Sequence, residues 1–194
     1  MNRIVDQFIK LSLWSFATFF IVQLVYSWIN IDSWKSETIT DIATIIIGFI
    51  GKAMTFTTLI MTVFNKFAWK WKLVKCIHNV PILKKSYEGK FLSTYDNIER
   101  CGTLFINQTF LNISVMLVTA ESKSRSITAY LDINEGFSRL IYTYQNDPHG
   151  EIQDKSPIHY GTSILIVSNT ETLEGNYFTG RKTTGSMKFN AISD

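Results

Sequence analysis

Cysteine is scarce in this chain of 194 residues: there are two, Cys76 and Cys101. One follows a long apolar run and the other falls near a predicted strand start. Thiols in such different settings argue against a secreted disulfide framework and favour a reducing compartment. Histidine is nearly as sparse, and His78, His149 and His159 have no metal-ligand spacing with the cysteines or with one another. There is no glycine-rich phosphate loop, no serine elbow and no carboxylate pair tied to a strand-end cleft. The expectation is therefore no bound metal, no cofactor and no catalytic residues.

Charge is missing from two long stretches. Leu11 to Ile31 is an uncharged run of 21 residues, and Ile42 to Phe64 is an apolar run of 23 with one charge. Either is long enough to cross a hydrocarbon core of roughly 30 Å at about 1.5 Å per residue. A cleaved signal peptide is the competing reading of the first run. It is too long for one, and no small-residue cleavage site follows it. Acid, in turn, is absent from the segment after the second run, where Lys66, Lys70, Lys72, Lys75, Lys84 and Lys85 stand alone. The loop between the runs holds Asp32, Lys35, Glu37 and Asp41, and the N-terminus holds Arg3 and Lys10 against Asp6. The positive-inside rule then places both termini in the cytoplasm and the loop outside. Trp28 and Trp34 are expected at the outer interface, Trp69 and Trp71 at the inner one.

The two halves of the chain differ in sign. Residues 1–85 carry 10 Lys/Arg against 4 Asp/Glu, and residues 86–194 carry 9 against 12. Basic charge thus lies beside the spans, where anionic headgroups attract it. A net-acidic second half lacks the basic footprint of a duplex DNA or RNA binder.

Lys52 lies near the middle of the second run. Even on the lenient insertion scale a central lysine costs roughly 2.5–3.5 kcal/mol. At 100° per residue Thr44, Gly48, Gly51, Lys52, Thr55, Thr58 and Thr62 share one side of the helix. Two readings are open. This face packs the two spans of one chain together, or it lines an assembly of several chains or a wet pore.

Beyond Pro81 the pattern changes to period-two alternation rich in β-branched and aromatic residues, cut by turn residues at short intervals. Eight strands are predicted, near 87–95, 101–109, 110–120, 123–133, 137–146, 158–168, 172–181 and 184–192. Turn signals include Asp96-Asn97, Asn134-Glu135-Gly136, Asp147-Pro148-His149-Gly150 and Asn169-Thr170. The second break, at Thr109-Phe110-Leu111, is weak. The expected fold is two N-terminal transmembrane helices followed by an all-β domain, a small eight-stranded antiparallel up-and-down β-barrel. A β-sandwich is the second architecture. The expected organisation is a membrane region over residues 1–65, with spans near 11–31 and 42–64, a basic cytosolic connector over 66–85 and the barrel over 86–194.

Alternation puts Leu111, Ile113, Val115 and Leu117 on one face, then Leu140, Tyr142 and Tyr144, then Leu173, Gly175, Tyr177, Thr179 and Arg181. The last series runs from apolar to polar, as expected of a barrel with an apolar floor and a polar, aromatic mouth.

The segments INQTFLNISVMLVTAESKSRSITAYL, LIYTYQNDP, HYGTSILIV and LEGNYFTGRKTTGSM resemble the membrane-anchored β-barrel effectors of bacterial cyclic-oligonucleotide-based anti-phage signalling, the CD-NTase-associated cyclic-nucleotide-sensing barrels. The resemblance covers essentially the whole chain. It implies a two-pass protein of the bacterial inner membrane whose barrel binds a cyclic oligonucleotide made by a partner nucleotidyltransferase. Self-association and disruption of the bilayer are implied to follow.

A ligand of that kind presents phosphates, which suit a guanidinium fork, and flat bases, which suit aromatic faces. On that chemistry Arg181 is the candidate for a phosphate and Tyr144 for stacking. Thr179, Thr183 and Asn146 are candidates for base edges, with His159 and Gln108 as weaker additions. Each has a plainer reading: inward tyrosines as core packing, Arg181 as a solvated edge charge, His159 as a structural histidine. Gly161, Gly175 and Gly185 read as strand bends. Lys52, Gly48, Gly51 and Thr55 are the candidate membrane or oligomer face. A membrane-tethered lipid- or small-molecule-binding barrel is the alternative function.

Overall fold

The computed structural model describes residues 3–29, 38–134 and 137–192. Asp32, Trp34, Lys35 and Glu37 of the loop, the last two positions of the first predicted span, and turn residues Glu135 and Gly136 lie outside them. The chain divides into two compact units, residues 1–78 and 79–194.

The first unit is a pair of helices, α1 (Arg3–Ile29) and α2 (Ile39–Lys66). Both are long and apolar enough to cross a membrane, with mean hydropathy 1.7. α2 starts with a capping box: Thr38 accepts from the Asp41 N–H, and the Asp41 carboxylate accepts from the Thr38 N–H at 3.0 Å. The helices meet through Phe8–Phe64 and a stacked Phe19–Phe56 pair, and Gln23 donates to the Phe49 carbonyl at 3.2 Å. On α2 the buried stripe is Ala53, Thr57 and Met61.

That stripe corrects one of the two readings of the Lys52 face. Gly48, Gly51, Lys52 and Thr55 are all exposed, and a Cβ on either glycine would meet nothing within 4 Å. The face therefore does not pack α2 against α1. Three of its hydroxyls bond within the helix, Thr44 on Thr40, Thr55 on Gly51 and Thr62 on Thr58. Beyond α2 two 3₁₀ turns, Ala68–Lys70 and Lys75–Ile77, carry the chain onward. Trp69, expected at the membrane interface, is instead fully buried, with its ring tilted against the His78 ring. Trp71 is exposed.

The second unit is a closed barrel of eight consecutive antiparallel strands: β1 (Ser86–Ser93), β2 (Glu99–Gln108), β3 (Ile113–Thr119), β4 (Ser122–Asn134), β5 (Phe137–Pro148), β6 (His159–Asn169), β7 (Thr172–Thr179) and β8 (Thr184–Ala191). β8 pairs back to β1, so no open sheet edge is left by the strand order. The weak second break is a true turn. The Thr109 N–H donates to the Asn112 carbonyl at 2.8 Å, and the Asn112 N–H donates to Thr109 Oγ1 at 3.0 Å. A Thr/Asn turn of this kind needs neither glycine nor proline.

Inward positions from every strand make the core, including Tyr87, Leu104, Leu117, Leu131, Leu140, Leu165, Leu173 and Phe189. One end of the barrel is closed. The incoming chain lays Val80 and Leu83 across it, and Phe110 of the β2–β3 turn is buried with them. Gln108 fixes this arrangement: its Oε1 accepts from the Leu83 N–H at 3.0 Å, and its Nε2 donates to the Pro81 carbonyl at 2.9 Å. Tyr87 adds a second clasp, accepting from the Lys84 N–H and donating to the Thr170 carbonyl.

Candidate functional site

The opposite end, where β1–β2, β3–β4, β5–β6 and β7–β8 connect, is open. It contains a cavity of about 690 Å³, inside the range of roughly 300–1,000 Å³ typical of small-molecule sites. Leu117 and Met187 line its deeper wall, and above them stand Phe91, Tyr144 and Tyr177. Around the rim are Asp96, Arg100, Glu121, Ser122, Ser124, Asn146, Lys155, Ser156, His159, Thr179, Arg181 and Thr183.

Six of the seven barrel residues expected from sequence converge here: Arg181, Tyr144, Thr179, Thr183, Asn146 and His159. Gln108 does not. It lies at the closed end, and its amide is committed to the incoming chain, as described above. Arg181 also differs from expectation in its placement. β7 ends at Thr179, so Arg181 stands in the β7–β8 turn, where Lys182 takes a φ of 62° and closes the reversal.

The geometry around Arg181 is open rather than locked. Its Nη2 donates to Ser156 Oγ at 3.2 Å and approaches His159 Nε2 at 3.5 Å. His159 Nδ1 lies 2.9 Å from the Pro157 carbonyl. A carbonyl can only accept, so Nδ1 carries the proton and Nε2 turns its lone pair toward the arginine. Burial holds the His159 pKa below its ordinary value; the Pro157 bond opposes this and the Arg181 charge adds to it. Among the described residues Arg181 and Lys155 have no ion-pair partner.

Arg100, the third cation of the rim, is neutralised. Asp96 takes its Nη2 at 2.6 Å and its Nη1 at 3.1 Å, and Glu121 accepts from its Nε at 3.3 Å. The Arg100 bonds, with the Ile98 N–H, hold the Asp96 carboxyl down at about 2. The rim is therefore polarised, with free positive charge only on the β5–β8 side.

Tyr144 is nearly buried, and burial raises its phenol well above the ordinary tyrosine value, with Tyr142 and Tyr177 adding to the rise. It remains a neutral donor. Asn146, which lines the cavity, spends its Nδ2 on Ser122 and Ser124 at 2.9 and 2.8 Å, and its side-chain oxygen makes no hydrogen bond among the described residues. Thr179 and Thr183 join hydroxyls at 2.6 Å across the β7–β8 turn. Gly161 and Gly185 are not simple bends. A Cβ on Gly161 would collide with the Tyr144 hydroxyl, and one on Gly185 with the Leu92 carbonyl and Tyr177 Cε1. Each glycine makes room for a tyrosine ring. No group of three or more metal-ligating side chains occurs among the described residues.

Comparison with known proteins bears directly on this cavity. Residues 78–191, the whole barrel, match the family described as Cap15, cyclic dinucleotide receptor domain. The chain belongs to this family. A curated relative, CD-NTase-associated protein 15 of Staphylococcus schleiferi, is 32% identical over 201 aligned positions, covering 99% of this chain and 100% of the relative. The match to the Cap15 receptor domain takes in every cavity residue. The relative's alignment extends the likeness through both long apolar helices.

Sequence reasoning missed Tyr177, Lys155, Ser156 and the Arg100 cluster. Tyr177 had the available signal, since alternation placed it inward beside Thr179. Lys155 and Ser156 lie in a loop with no pattern to mark them.

Proposed function

We propose that this chain is a membrane-anchored receptor and effector of anti-phage signalling. Its barrel takes up a cyclic dinucleotide made by a partner nucleotidyltransferase, and no reaction is assigned to it. The observation that carries the reading is the open cavity with an unpaired Arg181 and Lys155 beside Tyr144. A phosphodiester offers that guanidinium two oxygens in one plane, and a base offers the tyrosine a face. A fatty acid would need one carboxylate contact and a long apolar sleeve; this lumen is filled below Leu117 and Met187 by packed side chains.

α1 and α2 cross the bacterial inner membrane with both termini in the cytoplasm. Ligand binding favours an assembled state, because equal affinity for separate and assembled chains would shift nothing. Assembly gathers many copies of the exposed Gly48, Gly51, Lys52 and Thr55 face within the bilayer and disrupts it.

The test is equilibrium binding of the full chain in detergent to cyclic di- and trinucleotides, with oleate as a competitor class. The expected result is saturable binding of at least one cyclic dinucleotide, undisturbed by oleate. Binding of oleate alone would replace this reading with the lipid-carrier one.

A further inference from the structure

The barrel contains the same construction twice. Tyr144 on β5 is directly cross-strand from Gly161 on β6, and Tyr177 on β7 is directly cross-strand from Gly185 on β8. In both pairs the ring lies where the glycine's side chain would stand, and at Gly185 the Leu92 carbonyl lies there too. A glycine inside a strand weakens it, yet the mouth holds two, each under a tyrosine. The effect is to lay each ring against the neighbouring strand, so the rings line the cavity without closing it.

The two rings belong to separate aromatic clusters. Tyr144 lies beside Tyr142 at 5.8 Å between centroids, whereas Tyr177 meets Phe91 edge-on at 6.3 Å. In the ladder Tyr144 is level with Gly161 and Thr179, and Tyr177 is two residues deeper on β7. Two strand spacings and two residues put their backbones on the order of 10 Å apart. Thr179, with Arg181 and Thr183 of the adjoining turn, stands at the rim beside them.

We infer that Tyr177 is a second base platform. One barrel holds both bases of a single cyclic dinucleotide, one on Tyr144 and one on Tyr177, with Arg181 on the phosphodiester between them. This rests on the reading of the cavity as a cyclic dinucleotide site and adds its stoichiometry: the ligand is enclosed by one chain, not shared between two.

The experiment is calorimetric titration of the full chain in detergent with cyclic di-AMP, cyclic di-GMP and cyclic GMP-AMP. The tightest of the three is then repeated on Tyr177→Leu and Tyr177→Phe. The expected result is one ligand per chain, a loss of tenfold or more for Tyr177→Leu, as for removal of one base stack, and Tyr177→Phe within about threefold of wild type. A Tyr177→Leu chain that melts as wild type does and binds within threefold of it would overturn the second platform. So would one ligand per two wild-type chains, a result that does not depend on how the variant folds. Binding of none of the three, with no other cyclic dinucleotide bound either, would overturn the underlying reading of the cavity instead.

Discussion

Removing Arg181 should separate ligand recognition from fold. Its guanidinium makes one 3.2 Å bond to Ser156 and one long approach to His159, and it stands in an exposed turn outside any strand. Arg181→Ala should therefore change barrel stability by no more than about 0.5 kcal/mol, the usual range for surface positions. A bound phosphodiester gives the opposite expectation. Hydrogen bonds to a charged group contribute about 1.5–3 kcal/mol, which at about 1.4 kcal/mol per decade is roughly a 10- to 150-fold loss of affinity. Arg181→Lys should fall between, because a point charge keeps the attraction and loses the planar fork. The assay is titration of the full-length chain in detergent with its tightest cyclic dinucleotide, beside a thermal melt. A variant that melts as wild type does and binds with unchanged affinity would refute the assignment of Arg181 to the phosphate.

Three further outcomes are expected. His159 is the one imidazole lining the cavity, held below its ordinary pKa by burial. A bound phosphodiester stays anionic and favours the imidazolium, so binding takes up a proton and affinity should rise as pH falls from neutral into the mildly acid range, by up to about tenfold per unit. His159→Gln should flatten that profile, and an unchanged slope would remove His159 from the site. Gln108→Leu strips a buried backbone N–H of its acceptor, and melting should report a loss of about 1–3 kcal/mol while affinity at the mouth holds; a variant as stable as wild type would contradict the clasp. Lys52→Leu should insert and express normally but fail to depolarise cells when the ligand is present. Wild-type depolarisation by that variant would show that Lys52 has no part in the lesion.

The barrel was legible because alternation is a local property: Leu140, Tyr142 and Tyr144 face inward whatever the neighbouring strands do. The turn at Thr109–Asn112 was hard to see because its reversal is held by a threonine hydroxyl, with no glycine or proline to mark it. Gln108 shows the limit of alternation. It is buried, but which end of the barrel it serves depends on where the incoming chain crosses, and Pro81 and Leu83 claim its amide. Arg100 and Arg181 are alike in sequence. Only the fold reveals that Asp96 and Glu121 neutralise the first and leave the second free. The pairing of Tyr177 with Gly185 likewise requires the β7–β8 register. Trp69 had the composition of an interfacial tryptophan, yet it is buried beside His78.

We place the cyclic dinucleotide in the open end of the barrel. Hydrogen exchange of the full chain, with and without saturating cyclic dinucleotide, tests it most directly. Slowed exchange is expected only in residues near 91–100, 119–124, 144–159 and 177–184, with the clasp at 81–84 and 106–112 unchanged. Protection centred on that clasp or on the outer wall, with none at the mouth, would contradict it.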